Sequence, residues 1–169
     1  MTALALMLLA CKRPAPPEMI VSDRVIPSGP VRETIDGPYR WNGAGGLCVD
    51  LPQAWSGTTG AAPNLLQVQH AGSGVELALF AWPWGTPLPR VPAGFTLGFH
   101  DEDSYRTVPL LFPGASYTLV GDDGSVIQGW YGPVDGRVVV VEVAAPFGRT
   151  TEGRDIADDL LRSVKRCDG

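Results

Sequence analysis

Short apolar runs alternate with glycine, proline and aspartate along most of the chain, and this pattern predicts a protein built mainly from β-strands. Within the runs, apolar residues recur at every second position or follow one another as β-branched residues, which suits the two-residue period of a strand. A stretch with four prolines and two glycines, residues 83–94, is predicted to be a long loop. The predicted strands cover residues 46–51, 65–70, 75–82, 106–112, 116–120, 125–131 and 137–144.

Three of these strands are predicted to form an antiparallel meander, because a turn sequence separates each consecutive pair. Asp-Asp-Gly at residues 122–124 separates strands 116–120 and 125–131, and residues 132–136 separate the next pair. The last strand, 137–144, is apolar on both faces for most of its length. It is therefore predicted to be a central strand that is covered on both sides.

One segment has helical periodicity, and it follows Thr150 and Thr151, either of which can cap the first turn. Acidic side chains gather near its start and basic ones near its end, as the helix dipole favours. Apolar residues recur at spacings of three and four at Ile156, Ala157, Leu160, Leu161 and Val164. The predicted fold class is α+β, a mostly antiparallel curved β-sheet with a C-terminal amphipathic helix packed on it. A β-sandwich with one appended helix is the alternative.

The pattern changes at the N-terminus, where residues 3–10 form an unbroken apolar run. The run is too short to cross a bilayer, which takes about 20 residues, but it suits the apolar region of a cleaved signal. Residues 12–36 carry five prolines and little apolar periodicity, a composition typical of a tether. The predicted organisation is a signal peptide at 1–10, a flexible tether at 11–38 and a single domain at 39–169.

The apolar run ends in Leu8-Leu9-Ala10-Cys11, which resembles the lipobox of bacterial lipoproteins. The resemblance implies that the thiol of Cys11 receives diacylglycerol, that the signal is cut before it, and that lipid anchors the protein in the bacterial cell envelope. Lys12 follows, where aspartate is the usual signal for inner-membrane retention in enteric bacteria, so the resemblance favours the outer membrane. The run lacks the basic residues that usually precede it, and the alternative is a buried core segment with a free cysteine.

Composition and charge restrict the partners that the domain can have. The chain contains 13 basic and 18 acidic residues, a net charge of −5, and the domain has no cluster of Lys or Arg. Nucleic acid is therefore excluded as an expected partner. Hydrophobic residues make up 44% of the chain and charged residues 18%, which predicts a folded globular domain rather than a disordered one.

Besides the lipobox cysteine the chain has two cysteines, Cys48 and Cys167. An even number of cysteines in an exported protein predicts that they form a disulfide. The bond would close a loop of roughly 120 residues, which the chain-entropy model values at about 4 to 5 kcal/mol. Cys48 points away from Leu47, Val49 and Leu51 in its strand. The terminal helix would therefore have to lie on that second face, or a bulge would have to form. Two separate buried thiols are the alternative.

Candidate catalytic and metal-binding residues are few. His70 and His100 show no metal-ligand spacing, and the acidic run at 101–103 lacks the pattern of a calcium loop. Ser73 lies in a predicted turn, and no Gly-x-Ser-x-Gly motif occurs. The sequence predicts no catalytic residues, no metal and no cofactor.

The loop after the third predicted strand carries the residue types of protein-interface anchors. Trp82, Trp84 and Arg90 lie in a proline-rich stretch that would hold them at low entropic cost, and they are the predicted partner-binding residues. In the alternative, both indoles fold back on the sheet edge. The remaining tryptophans adjoin apolar strands or turns and are expected in the core: Trp41, Trp55 and Trp130.

The order of elements and two loose motifs are similar to the Mog1/PsbP-like α+β family over residues 40–167. The motifs are Leu51-Pro52-x-x-Trp55 and the ending Leu-Leu-x-Ser-Val at 160–164. The resemblance implies a curved sheet flanked by helices, without a shared catalytic site. Members include envelope lipoproteins, assembly factors and adaptors.

The predicted function is that of a non-enzymatic, lipid-anchored envelope protein that binds or helps assemble a protein partner. The first alternative is a domain that binds a small ligand on the concave sheet face, in a pocket walled by Phe95, Phe99 and Tyr105. The second is an envelope enzyme whose site is assembled from loops.

Mass spectrometry of the N-terminal peptide, on protein extracted from its native membrane fraction, tests the anchor. We expect a mature chain that begins at a lipidated Cys11, with Cys48 and Cys167 protected from alkylation until they are reduced. An intact Met1 and three free thiols would mean a cytoplasmic protein and would contradict both the lipobox and the disulfide.

Overall fold

A computed structural model describes residues 31–43, 47–101 and 114–167. The predicted lipidation site Cys11 and the predicted strand 106–112 lie outside these ranges. The described elements, in chain order, are β1 (Val31–Asp36), β2 (Tyr39–Asn42), β3 (Leu47–Leu51), β4 (Trp55–Gly60), β5 (Asn64–His70), β6 (Glu76–Pro83), β7 (Phe95–Asp101), β8 (Ala115–Gly121), β9 (Val126–Val134), β10 (Arg137–Ala145), α1 (Thr150–Leu161) and β11 (Lys165–Arg166).

The strands form two antiparallel sheets. The larger sheet has eight strands in the order β1-β4-β5-β6-β10-β9-β8-β7, and the smaller has three in the order β11-β3-β2. The predicted meander is confirmed, since β8, β9 and β10 are consecutive and adjacent. The fold is therefore mostly antiparallel β-sheet with a short C-terminal helix, consistent with the predicted α+β class.

The main hydrophobic core covers one face of the eight-stranded sheet. Strand β3 and helix α1 contribute Leu47, Val49 and Leu160 to this core, which places the small sheet and the helix together over that face. Trp41 and Trp55 are buried in it and Trp130 packs against it half-buried, as the sequence predicted.

Strand β10 lies between β6 and β9 and is buried on both sides, which confirms the prediction of a central covered strand. Val139, Val141 and Val143 enter the main core, whereas Val140 enters a second cluster on the opposite face. The run of β-branched residues thus supplies both cores at once, because neighbouring side chains of a strand point to opposite faces.

One described strand falls inside the segment predicted to be the tether. Strand β1 occupies Val31–Asp36, within the segment assigned to the tether at 11–38, and pairs with β4. Ile35 is the reason, because its side chain is buried in the main core while Glu33 and Thr34 are exposed. Too few apolar residues precede it for the alternation to stand out in the sequence.

Strands β4 and β7 were not predicted, and each has a local explanation. Strand β4 reads Trp-Ser-Gly-Thr-Thr-Gly and lacks apolar alternation. A Cβ at Gly57 would overlap the backbone of Gln67, so the glycine permits the close pairing of β4 with β5. Strand β7 contains a register shift between Leu97 and Phe99, which breaks the two-residue period that would have revealed it.

The turn between β9 and β10 is tighter than predicted. Strand β9 continues to Val134, so the turn is confined to Asp135 and Gly136. Both have positive φ, 47° and 74°, as a two-residue type I′ hairpin requires. The predicted span of 132–136 was too long because Gly132 and Pro133 look like turn residues but lie in the strand.

The preceding turn, between β8 and β9, is held by its own side chains. The hydroxyl and the backbone N–H of Ser125 donate to Oδ1 of Asp123 at 2.6 and 2.9 Å. These hydrogen bonds favour the ionised carboxylate and lower the pKa of Asp123. Gly124 has a φ of 78°, so the Asp-Asp-Gly turn is confirmed with glycine in its left-handed position.

The predicted C-terminal helix is confirmed as α1, but its cap differs. The helix begins at Thr150, the capping position is held by Arg149, and no side chain makes a capping hydrogen bond. Inside the helix, Gly153 contributes to packing. A Cβ there would lie 2.8 Å from Cβ of Ala145, so the glycine lets the helix approach β10 closely.

Cys48 and Cys167 form a disulfide, with their Cα atoms 5.2 Å apart. The described residues show a route that the sequence did not suggest. A two-residue strand after the helix, β11, runs antiparallel to β3 with Lys165 opposite Cys48, and this places Cys167 beside it. The bond thereby joins the start of the small sheet to the end of the domain.

The double variant C48A/C167A is expected to unfold more easily, with a free energy of unfolding lower by about 2 to 5 kcal/mol. The disulfide joins residues 119 positions apart and so restricts the unfolded chain strongly. Urea unfolding measures the change. Reductant should lower the midpoint of the wild-type protein and leave that of the double variant unchanged; a wild-type midpoint insensitive to reductant would contradict a structural disulfide.

Candidate functional site

A second apolar cluster lies on the face of the large sheet opposite the main core. It is made by strands β6, β8, β9 and β10 and is covered in part by the loop between β6 and β7, which contributes Leu88 and Val91. Buried members of the sheet are Ala78, Phe80, Tyr117, Leu119, Ile127 and Val140. The proline-rich loop therefore packs on the sheet.

Trp82 and Arg90 hold this loop in place. The indole of Trp82 stacks on Phe80 with ring centroids 6.3 Å apart, and the guanidinium of Arg90 lies 4.6 Å from the centroid of the Trp82 ring. A cation in this position stabilises by about 0.5 to 1 kcal/mol at an accessible site. The two residues predicted to contact a partner thus also contact each other, and Trp82 is half-buried.

Trp84 has a different environment from Trp82. Its side chain is 69% exposed, although it lies two residues further along the same segment. A tight turn fixes its backbone, since the hydroxyl and the N–H of Thr86 both donate to the carbonyl of Pro83, at 2.8 and 3.2 Å. Of the predicted partner-binding residues, Trp84 is the one presented to solvent.

Clefts lie on both sides of Trp84. One, of about 380 Å³, is lined mostly by apolar groups, among them Leu88, Tyr131 and Val138. The other, of about 540 Å³, is lined by Trp82, Pro63 and neighbouring residues, with Arg137 at its margin. The exposed indole is therefore a ridge between two apolar depressions.

A polar cluster interrupts the second apolar face. The hydroxyl of Tyr117 donates to the carboxylate of Glu142 at 2.6 Å, and Nε2 of His100 is hydrogen-bonded to the hydroxyl of Tyr131 at 2.9 Å. The Tyr117 and Tyr131 rings are 6.0 Å apart and connect the two pairs. No carboxylate contact of His100 is seen among the residues that the structure describes.

Gly129 makes room for this cluster. It lies between Tyr117 on β8 and Glu142 on β10, and a Cβ at this position would overlap the Tyr117 ring. The ring thereby crosses the glycine and brings its hydroxyl to Glu142. Sequence reasoning missed the arrangement; its signal is a lone glycine inside strand β9, which marks a close approach.

Phe95 and Phe99, predicted to wall a ligand pocket, lie on opposite faces of the sheet. Leu97 pairs with Leu119, but Phe99 pairs with Thr118, because the register shifts between them. Phe95 packs on the second cluster, whereas Phe99 is 54% exposed. Phe95 and Phe99 therefore do not wall one pocket together, and Tyr105 lies outside the described residues.

The second histidine, His70, takes part in a turn. Its Nδ1 is hydrogen-bonded to the hydroxyl of Ser73 at 2.8 Å, and that hydroxyl accepts from the N–H of Val75 at 3.2 Å. Ser73 is buried, and the His70 ring packs edge-on against Trp55 at 5.3 Å. These contacts order the β5–β6 hairpin.

The described ranges hold neither a metal-binding cluster nor a membrane-spanning helix. No group of three His, Cys, Asp or Glu side chains in residues 31–43, 47–101 and 114–167 is placed to hold a metal ion. Across the same residues, no helix combines the length and apolar character needed to span a membrane.

Among the comparisons with known proteins, a likeness is found to solved structures. No family model matches the sequence, and no curated protein matches it. The chain is similar to the solution structure of cyanobacterial PsbP (CyanoP) from Synechocystis sp. PCC 6803, at 11% identity and a TM-score of 0.47, over 76% of this chain and 91% of that one. This is a weak resemblance to the PsbP-like fold, from which nothing about function follows.

The variant Gly129→Ala is expected to lower the free energy of unfolding by about 1 to 3 kcal/mol, because the added methyl group displaces the Tyr117 ring from a packed site. Urea unfolding measures the loss. The matched control is Gln128→Ala, the adjacent residue on the other face of β9, which is expected to have a smaller effect. Equal unfolding of the two variants would contradict the role assigned to Gly129.

Proposed function

We propose that this chain is a lipid-anchored protein of the bacterial cell envelope, held by lipid on Cys11, whose domain binds or helps assemble a protein partner. The outer membrane is its proposed location, in keeping with Lys12 after the lipobox cysteine. The proposal is of a binding protein and not of an enzyme. The observation that carries it is the exposure of Trp84 on a loop whose Leu88 and Val91 pack on the sheet.

Protein interfaces take much of their affinity from a few aromatic anchors. Trp84 has the required exposure, 69%, and clefts on both sides that apolar side chains of a partner would fill. Its loop is fixed by the Arg90–Trp82 contact and by the Thr86 turn. A loop that is already ordered loses little entropy on binding, which favours affinity.

A second candidate function is the binding of a small apolar ligand in the cleft lined by Leu88, Tyr131 and Val138. Its volume of about 380 Å³ falls within the usual range for ligand sites, about 300 to 1,000 Å³. This candidate replaces the pocket of Phe95 and Phe99. A small ligand in this cleft would leave the exposed face of Trp84 without a role. Ligand binding is therefore the second candidate.

A photo-crosslinking amino acid at position 84, introduced into the full chain in its native cells, tests partner binding. We expect one discrete crosslinked product that contains a second envelope protein. The matched control places the same amino acid at Phe147, which is 77% exposed near the opposite end of the sheet.

The two positions separate a specific contact from general crowding at the envelope. A product formed at position 84 and absent at position 147 supports the proposal. Equal products at both positions, or no protein product at position 84, would contradict it.

A further inference from the structure

Three clefts lie side by side along one end of the eight-stranded sheet and share their walls. The two beside Trp84 have that residue in common. A third cleft, of about 480 Å³, shares Ala62 and Arg137 with the cleft that contains Trp82. Trp84 forms the ridge between the first two clefts, and we call the row of three clefts the end groove.

The end groove follows the ends of neighbouring strands. Its lining residues come from six neighbouring strands of the large sheet, β8, β9, β10, β6, β5 and β4, and at the third cleft also from β1 and β2. Neighbouring strands lie about 4.8 Å apart, so the groove crosses about 24 Å of sheet. An extended chain of about seven residues spans that length.

Arg137 supplies a positive charge near the middle of the groove. It starts β10 opposite Pro83, its side chain is exposed, and it borders two of the three clefts. No carboxylate of the described ranges lies within ion-pair distance of it. Other arginines of those ranges do have such partners: Arg40 with Asp50, Arg149 with Glu152, and Arg162 with Asp159.

The far end of the groove, beyond Arg137, is lined by polar and apolar residues together. The hydroxyl of Tyr39 donates to the carboxylate of Glu33 at 3.2 Å, and both residues line the third cleft. Desolvation raises the pKa of Tyr39, and the charge and hydrogen bond of Glu33 raise it further. The phenol therefore stays a donor, and it lines the third cleft together with apolar side chains such as Trp41 and Leu65.

We infer that the end groove binds an extended internal segment of the partner protein, with apolar side chains on both sides of Trp84 and an Asp or Glu side chain at Arg137. Charge complementarity selects the carboxylate, since Arg137 is a cation without a partner in the described part of a chain of net charge −5. The groove extends on both sides of Arg137, so a side chain fits better than a terminal carboxylate. The inference rests on the proposed function and specifies its partner.

A phage-displayed library of random dodecapeptides, selected on the immobilised full chain, tests this chemistry. We expect enrichment of peptides that combine apolar residues with one Asp or Glu. In fluorescence anisotropy, an enriched peptide should lose affinity about tenfold when its acid becomes the amide or when the protein carries Arg137→Gln. Trp84→Ala should cost at least about tenfold.

The matched control for the charge is Arg162→Gln, an exposed arginine on the helix side, which should leave the affinity unchanged. Selected peptides without acidic residues, or binding that Arg137→Gln leaves intact, would overturn the inference. A terminal carboxylate as the required group would overturn it as well.

The same experiments distinguish this inference from the proposed function. If position 84 crosslinks to a partner but Arg137→Gln does not weaken that product, the partner-binding role stands and the acidic-segment inference fails. A crosslink from position 84 to the residues before Val31 would show that this segment occupies the groove and would overturn the inference. A crosslink to a second copy of the chain would overturn it in favour of self-association.

Discussion

Strand β10 must be covered on both faces, and the rest of the domain is arranged to do so. Its valines alternate between the two sides of the large sheet, so an uncovered face would leave a row of β-branched side chains in water. The small sheet and helix α1 cover one side. The loop between β6 and β7 helps to cover the other, and its attachment there determines where its remaining residues lie.

The two coverings differ in how firmly they are held. On the first side, the disulfide between Cys48 and Cys167 fastens β11 to β3, and Gly153 lets the helix approach β10 closely. On the second side, the loop depends on the packing of Leu88 and Val91 and on the contact between Arg90 and Trp82. A binding surface on the second side is thus carried by a loop and positioned by a rigid sheet, a common division of roles in proteins.

The sequence was sufficient to predict the elements whose apolar pattern is regular. The meander, the central strand, the helix and the pairing of Cys48 with Cys167 all follow from spacing or parity in the chain. Where a bulge shifts the register, as between Leu97 and Phe99, the pattern places side chains on the wrong face, because a shift of one residue reverses the side on which each later residue lies. Contacts between distant strands, such as that of Tyr117 with Glu142, leave almost no local trace.

Trp82 and Trp84 differ in exposure because strand β6 ends between them. Trp82 lies within β6, opposite Val138 on β10. The alternation of side chains along β6 places its indole on the face of the second cluster. Pro83 ends the strand, since proline has no N–H to continue the ladder, and the chain turns at Thr86. Trp84 therefore cannot continue the alternation of β6. Its exposure follows from the position of one proline, which also places it directly after the last residue of β6 and beside Arg137, the first residue of β10.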